Sequence, residues 1–137
     1  MKQIQTDKAP KAVGPYSQAT EVGGLIFCAG QIGLEPKTGN LVDGIEKQAK
    51  QAMENLSEVL KAAGSSLKNV TKTTIYLADI QDFAKVNEIY GSFFTQNKPA
   101  RSTIAAAALP KGALIEVDAI AVTEQEGCGD ENCNCEC

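Results

Sequence analysis

Arg101 is the side chain in this sequence best suited to gripping a small carboxylate. It stands in the run Pro99-Ala100-Arg101-Ser102, where small neighbours leave room around the guanidinium. Arginine can hold a carboxylate through two parallel hydrogen bonds. A surface or subunit-interface salt bridge would use the same residue type in the same setting. The residue type therefore predicts an anion site and leaves its purpose open.

Two carboxylates, Glu116 and Asp118, alternate along an otherwise apolar segment. Alternate residues of a strand share one face of a sheet, and carboxylates on a covered face are costly unless they are paired or functional. The simpler interpretation is that this face of the strand is solvated. The sharper interpretation pairs Glu116 with Arg101 across the sheet.

A hairpin would fix the geometry between these two residues. The segments that carry them flank Leu109-Pro110-Lys111-Gly112, a run typical of a hairpin loop. If those four residues are unpaired, Glu116 lies opposite Ala105, and Arg101 shares its sheet face at an offset of about 13 Å. Long side chains would then converge on a small ligand or a water. A slip of one residue in register would put them on opposite faces.

Two further segments contain residues suited to lining a site. Gly14-Pro15 is a stiff entry that presents Tyr16 reproducibly, because proline fixes its own φ and restricts the preceding residue. Cys28-Ala29-Gly30-Gln31 ends an apolar strand with a glycine, where a backbone N–H can approach a ligand closely. Taken alone, each segment is better explained as an ordinary turn or strand end.

The composition narrows the chemistry. The chain has 137 residues, 43% hydrophobic and 22% charged, which suits one domain with its own core. It contains no His, so any acid–base step near neutral pH must use a carboxylate, Tyr, Cys, Lys or ordered water. The net charge of −4 and the lack of a basic cluster disfavour nucleic acid and anionic membranes as partners. No apolar run approaches the length of a membrane span, which is about 20 residues, and the polar amino terminus lacks the apolar core of a signal peptide.

The apolar periodicity predicts an α+β fold, a single mixed sheet with two helices packed on one face. The first helix covers residues 44–63, with Asp43 as its N-cap and Gly64 as its stop. The second covers residues 80–94, with Asp79 as its cap. The predicted strands are a few residues near Ile4 and the segments 16–20, 25–29, 70–77, 101–107 and 113–122.

The five cysteines are not distributed like a disulfide framework, which favours a reducing compartment and a cytoplasmic location. Cys28 lies in an apolar run. The other four crowd the carboxyl terminus, at Cys128, Cys133, Cys135 and Cys137. We therefore expect a domain over residues 1–122, without a metal site, and a disordered Cys-rich acidic tail over residues 123–137. Because Cys-x-Cys-x-Cys spacing can also bind zinc or Cu(I), metal binding by the tail stays open.

Several motifs, taken together, resemble the Rid family, the reactive intermediate (enamine/imine) deaminases also called YjgF-like proteins. The similarity covers about residues 4–122, with matching order and spacing. The motifs are Gly14-Pro15-Tyr16-Ser17-Gln18-Ala19, Ala29-Gly30-Gln31-Ile32, Lys72-Thr73-Thr74, Phe83 with Val86-Asn87, Pro99-Ala100-Arg101-Ser102, and Leu109-Pro110-Lys111 followed by Ile115-Glu116-Val117-Asp118-Ala119-Ile120-Ala121.

The resemblance implies a chorismate-mutase-like fold that forms a homotrimer, with active clefts between subunits. It also implies an activity, the hydrolysis of 2-imino acids or their enamine tautomers to 2-oxo acids and ammonia, without a cofactor. The substrates would include 2-iminobutanoate and 2-iminopropanoate, which pyridoxal-phosphate enzymes release. Such a reaction pre-empts damage by reactive intermediates.

The resemblance also assigns roles to residues of this chain. Arg101 is expected to clamp the substrate carboxylate, and Glu116 to hold or polarise the attacking water. The residues expected to line the cleft are Tyr16, the Gly30 backbone, Phe83, Asn87 and Thr103. Many family members have Ser at the position of Ala29, and some bacterial members have Cys at that of Thr103, which bears on substrate range and rate.

Other functions remain open at this point. The same cleft would serve a non-catalytic binder of small carboxylates, and an exposed surface would serve a holdase chaperone. Ribonuclease activity, which is attached to some relatives, is disfavoured by the acidic balance, the missing His and the lack of a basic stripe.

Overall fold

A computed structural model describes residues 1–124 as one six-stranded sheet with two α-helices. The elements in chain order are β1 (Lys2–Ile4), β2 (Ala19–Val22), β3 (Leu25–Ile32), α1 (Ile45–Ala62), β4 (Val70–Leu77), α2 (Phe83–Phe93), β5 (Ala100–Ala105) and β6 (Ile115–Val122). The strand order in the sheet is β1-β2-β3-β6-β4-β5, antiparallel except for the parallel pair β4 and β5. The predicted α+β class with a single mixed sheet is confirmed.

The predicted strand over residues 70–77 matches β4 at both ends. β2 begins at Ala19 rather than at Tyr16, so Tyr16 lies in the segment that leads into the strand. β3 continues to Ile32, and its register against β6 shifts between Cys28 and Gln31. Gly30 therefore lies in an irregularity inside the strand, not beyond its end. Such irregularities redirect the side chains around them.

Helix α1 ends as the sequence predicts but begins differently. Gly64 has φ 79°, and the Ser65 N–H donates to the Leu60 carbonyl, closing the helix with a glycine in the left-handed region. At the other end the N-cap is Gly44, with φ 84° and no side-chain hydrogen bond, so the prediction of Asp43 as the cap is wrong. The chain enters the helix through a backbone conformation that favours glycine.

Helix α2 follows a 3-10 turn at Ile80–Asp82. The carboxylate of Asp79 accepts a hydrogen bond of 2.9 Å from the Gln81 N–H, so Asp79 caps this 3-10 turn. The α-helix itself begins later than predicted, at Phe83, with Asp82 at its N-cap position. Other 3-10 turns lie at Leu67–Asn69 and Pro110–Gly112. Within residues 1–124, no helix is long and apolar enough to cross a membrane.

The two faces of the sheet differ in what covers them. Helices α1 and α2 pack on one face, here called the helix face, and its central residues, such as Ile75 and Val117, are fully buried. Alternate residues point to the other side, the open face, which no element of the chain between residues 1 and 124 covers as the helices do. The open face combines apolar and polar side chains, among them Leu25, Phe27, Thr74, Tyr76, Ile104, Glu116, Asp118, Ile120 and Val122.

The prediction of a hairpin between the last two strands is wrong, because these strands do not pair with each other. Among residues 1–124, β5 lies at the sheet edge and pairs with β4 alone, whereas β6 lies between β3 and β4. Residues 106–114 carry the chain past β4 instead of reversing it in a four-residue loop. A helix connects β4 to β5, as a parallel pair requires. Loop composition alone did not reveal which strand would be the partner.

Four of the five cysteines, Cys128, Cys133, Cys135 and Cys137, lie outside the described residues, as does the tail from residue 125 onward. The last two described residues are hydrogen-bonded to the domain. The Thr123 N–H donates to the Gly24 carbonyl at 2.9 Å, and the Glu124 N–H donates to the Gly64 carbonyl at 3.1 Å.

Candidate active site

The two residues predicted to be catalytic lie on opposite faces of the sheet. Arg101 pairs with Thr73, which is fully buried on the helix face. Glu116 pairs with Tyr76 on the open face. The prediction that Arg101 and Glu116 share a face is therefore wrong, because it rested on a hairpin that does not form. Each residue belongs to its own half of the candidate site.

The Arg101 half lies where β5 meets α2. The guanidinium carbon lies 5.0 Å from the centre of the Tyr90 ring and 5.5 Å from that of Phe83. Aromatic faces attract a cation and hold it without using its N–H donors. Within residues 1–124, the only ion pair joins Lys61 Nζ to Glu58 Oε1, at 3.6 Å. Arg101 thus has no carboxylate partner within the described part of the chain.

Tyr90 is a further residue of this half, and no role in the site was predicted for it from the sequence. Its hydroxyl shares a hydrogen bond of 2.7 Å with Thr73 Oγ1, in the row of the sheet that also carries Arg101. Burial raises the pKa of Tyr90, while the Thr73 hydrogen bond and Arg101 act in the opposite direction. The signal in the sequence was the helical spacing of Phe83, Asn87 and Tyr90, which places the three on one side of α2.

Two further predicted residues belong to the Arg101 half by their positions. Thr103 follows Arg101 by two residues on the same face of β5. Its Oγ1 is buried and has no hydrogen-bond partner within residues 1–124. Asn87 is exposed on α2, one turn after Phe83. An unsatisfied hydroxyl beside an unpaired guanidinium offers polar groups that a bound ligand can use.

The Glu116 half lines a cavity of about 560 Å³. Tyr16 and Gly30, both predicted from sequence, line the same cavity as Glu116. Tyr16 is 55% exposed, so its ring borders the cavity without closing it. The other lining residues include Lys11, Val13, Ala29, Ile32, Pro110 and Lys111.

Gly30 makes room for the Glu116 side chain. A Cβ atom built on Gly30 would lie 2.7 Å from Cδ and 2.8 Å from Cγ of Glu116, much closer than carbon atoms pack. The strand irregularity at Gly30 and the missing side chain together create the space that the carboxyl group occupies. The glycine therefore has a steric role in addition to the backbone role that was predicted.

Buried amide side chains hold the walls of this cavity. Gln18 is 2% exposed; it accepts a hydrogen bond of 2.7 Å from the Thr6 N–H and donates one of 2.8 Å to the Pro10 carbonyl. Asn55 on α1 donates to the carbonyls of Ile32 and Leu34, at 3.1 and 2.9 Å. Gln18 belongs to one of the motifs, but the sequence predicted a role for neither amide, since their partners are distant in sequence.

Electrostatics on the open face act on Glu116. Burial, followed by the negative charge of Asp118, raises the pKa of the Glu116 carboxyl above its usual range. The Tyr76 hydroxyl donates a hydrogen bond of 3.1 Å to Asp118 Oδ2. Burial and Asp118 also raise the pKa of Tyr76. A carboxyl with a raised pKa exchanges its proton more readily near neutral pH.

Cys28 is buried on the helix face with its thiol free. Burial, followed by Asp118, raises the pKa of its thiol to about 12. In the part of the chain that the structure describes, no three Cys, Asp or Glu residues are grouped so as to hold a metal ion.

Comparison with known proteins agrees with this architecture. Residues 6–123 match the model of the family described as Endoribonuclease L-PSP. A Rattus norvegicus 2-iminobutanoate/2-iminopropanoate deaminase is 56% identical over 122 residues, which are 88% of this chain and 89% of the rat protein.

Solved structures give the same assignment. RidA from an Antarctic Psychrobacter is 43% identical and superimposes with a TM-score of 0.87, over 89% of this chain and 99% of that one. E. coli TdcF with bound serine is 38% identical, with a TM-score of 0.87 over 90% of this chain and 100% of the other. Sequence and fold together show that this chain belongs to the Rid (YjgF-like) family, whose model is described as Endoribonuclease L-PSP.

Proposed function

We propose that this protein hydrolyses 2-imino acids and their enamine tautomers, such as 2-iminobutanoate and 2-iminopropanoate, to 2-oxo acids and ammonia. The observation that carries the proposal is Arg101, held between two aromatic rings without a carboxylate partner among residues 1–124. Its N–H donors are free to grip the carboxylate that every 2-imino acid carries. The activity for which the rat relative is named supports the same reaction.

The proposed active site combines two chains. Within one chain, Arg101 and Glu116 lie on opposite faces of the sheet, so their side chains project away from each other. A second copy docked on the open face would bring its Arg101 half to the Glu116 half of the first. Exposed apolar side chains on that face, including Phe27 at 41% and Ile104 at 49%, suit burial against another copy. A closed homotrimer, as the family resemblance implies, repeats this contact three times.

The chemistry requires positioning more than activation. A protonated imine is already electrophilic at C2, so the site must hold the substrate and a water in line. Glu116 takes a proton as the water oxygen bonds to C2, and the C=N electron pair returns to nitrogen. Glu116 then gives that proton to the amine of the carbinolamine. As the C–N bond breaks, the hydroxyl oxygen forms the new carbonyl and its proton passes through Glu116 to the departing ammonia.

Thr103, Tyr16, Phe83 and Asn87 are proposed as further contacts to the substrate. The Thr103 hydroxyl, which lacks a partner in residues 1–124, would donate to the substrate carboxylate beside Arg101. The Phe83 ring and Asn87 would border the side chain of the imino acid, and Tyr16 would cover it from the Glu116 half. The reaction needs no cofactor in this scheme. We place it in the cytoplasm, where it would remove intermediates released by pyridoxal-phosphate enzymes.

Ribonuclease activity, which the family description names, has less support from this chain. The sequence contains no His and carries a net charge of −4, whereas binding an RNA backbone depends on clustered Lys and Arg.

The organisation into a catalytic domain over residues 1–122 and a Cys-rich tail, with or without a metal, also remains part of the proposal.

The test is a coupled assay in which a threonine dehydratase generates 2-iminobutanoate and ammonia release is followed. We expect the protein to accelerate release above the buffer rate, and Arg101→Lys to lose at least tenfold because a point charge replaces the planar fork. Lys47→Ala, which removes an exposed cation from α1, is the control and should keep full activity. A wild-type protein that binds 2-oxobutanoate without accelerating release would instead be a non-catalytic binder.

A further inference from the structure

Three polar side chains, Tyr76, Glu116 and Asp118, lie near one another on the open face, and the proposed reaction uses Glu116 alone among them. Tyr76 on β4 lies directly opposite Glu116 on β6, and Thr74 lies opposite Asp118. From that position the Tyr76 hydroxyl reaches diagonally to Asp118 Oδ2, at 3.1 Å. Glu116, Asp118 and Tyr76 are each half-buried. The hydrogen bond holds the Asp118 carboxylate on the sheet surface beside Glu116 instead of leaving it to extend into solvent.

Asp118 is the charged group that acts on Glu116. The two are separated by one residue on a strand, so their side chains project from the same face about 7 Å apart along the backbone. Within one chain, β4 places Tyr76 opposite Glu116, and the loops contribute Lys11, Lys111 and Tyr16 to the cavity that Glu116 lines. β3 contributes Gly30 and Ile32, which carry no charge. Burial and Asp118 are nevertheless the causes that raise the pKa of Glu116.

We propose that Asp118 is a positioning residue of the reaction, anchored by Tyr76 so that its negative charge makes Glu116 a stronger proton acceptor. This inference rests on the proposed deaminase function and deepens it. A second carboxylate nearby disfavours the ionised form of the first, so Glu116 binds a proton more firmly than an isolated glutamate would. Asp118 itself touches neither water nor substrate in this scheme.

The proton balance shows why this matters. When water attacks the imine carbon, the proton that it releases must go to Glu116 before the amine can receive it. A weakly basic carboxylate accepts that proton poorly, whereas one whose pKa lies closer to the working pH both accepts and returns it. No proton moves to or from Asp118, so neutralising Asp118 should slow the transfer without removing any group that reacts.

Carbon-13 NMR titration of glutamate side-chain carboxyls in the full-length protein tests the electrostatic step without relying on activity. The Glu116 resonance is assigned by its loss in Glu116→Gln. We expect the Glu116 midpoint to move to lower pH in Asp118→Asn. Asp118→Ser, a second neutral variant, should move it the same way, so a folding defect in one does not decide the result. Asp43→Asn, which removes an exposed charge elsewhere, should leave the midpoint unchanged.

The pH–rate profile then tests whether the reaction uses this effect. Ionised Glu116 is the proton acceptor, so the rate above buffer should fall as pH drops through the Glu116 pKa. In Asp118→Asn this fall should occur at lower pH, with the maximal rate reduced severalfold. An unmoved Glu116 resonance in both neutral variants would overturn the proposal, as would a shifted resonance with an unchanged profile. A wild type without deaminase activity would contradict the proposed function, while the NMR result would stand separately.

Discussion

Tyr90 and Thr73 share a hydrogen bond of 2.7 Å in the buried layer next to Arg101. Thr73 is fully buried on β4, and Tyr90 is 8% exposed on α2. The bond ties the helix to the sheet at the row where Arg101 pairs with Thr73, and the Tyr90 ring supports the guanidinium. The position of the proposed carboxylate clamp therefore depends on a buried contact between α2 and β4.

Tyr90→Phe should lower the free energy of unfolding by about 1–2 kcal/mol, because it leaves the Thr73 hydroxyl buried without a partner. The aromatic ring remains under Arg101, so the KM for the imine should change little. Denaturant unfolding at one fixed protein concentration measures the first effect, and the coupled assay measures the second. The double variant Tyr90→Phe with Thr73→Val should recover part of the loss. Equal stability of Tyr90→Phe and wild type would contradict a role for this bond.

Gly30→Ala should reduce kcat by about 100-fold, since the new Cβ would collide with Cδ and Cγ of Glu116 and displace the carboxyl by about 1 Å. Gly91→Ala is the matched control. Gly91 lies within α2, its added Cβ would meet nothing within 4 Å, and alanine favours a helix by about 1 kcal/mol. The control should be fully active and no less stable. Full activity of Gly30→Ala would show that the glycine does not shape the site.

Glu116→Gln should abolish activity and yet raise stability at neutral pH. The pKa of Glu116 is raised in the folded state by burial and by Asp118, so folding favours its protonated form. The resulting penalty is absent below the pKa of the unfolded chain and is fully present above the folded pKa. The melting temperature of the variant should therefore exceed that of wild type at neutral pH, and the difference should vanish in acid. A variant less stable than wild type at neutral pH would contradict the assigned direction.

Cys28 should resist alkylation in the folded protein. A thiol with a pKa of about 12 is ionised to roughly one part in 10⁴ at about pH 8, and the thiolate is the reactive form. Iodoacetamide labelling followed by peptide mass mapping reports Cys28 separately from the four cysteines near the carboxyl terminus. Cys28 should label only after unfolding in denaturant. Labelling of native Cys28 at the rate of a free thiol would show that the site is open.

Local features of the fold were predictable because their causes are local. β4 follows from its β-branched run, and the end of α1 follows from Gly64, whose left-handed conformation closes the helix. The partner of β5 was not predictable from the loop at Pro110–Gly112, since strand pairing depends on α2 and the sheet order. That error placed Arg101 and Glu116 on one face.

In the candidate site, too, residues were predictable from the sequence except where their role depends on a distant partner. Residue types identified Arg101 and Glu116, and the family resemblance identified the residues expected around them. Tyr90 was not predicted to belong to the site, because a buried aromatic residue on a helix usually belongs to the core. Its hydrogen bond joins it to Thr73, which is 17 residues away in sequence. Asp118 was visible as an alternating carboxylate, but its link to Tyr76 spans 42 residues and depends on the β4–β6 register.

The central claim is that each active site takes Arg101 from one chain and Glu116 from another. The most direct measurement mixes two inactive variants, Arg101→Ala and Glu116→Gln, by unfolding and refolding them together in equal amounts. If the site spans two chains, random assembly gives about a quarter of sites with both intact residues, so about a quarter of wild-type activity should return. Each variant refolded alone should stay inactive. A mixture as inactive as its two components would contradict the claim.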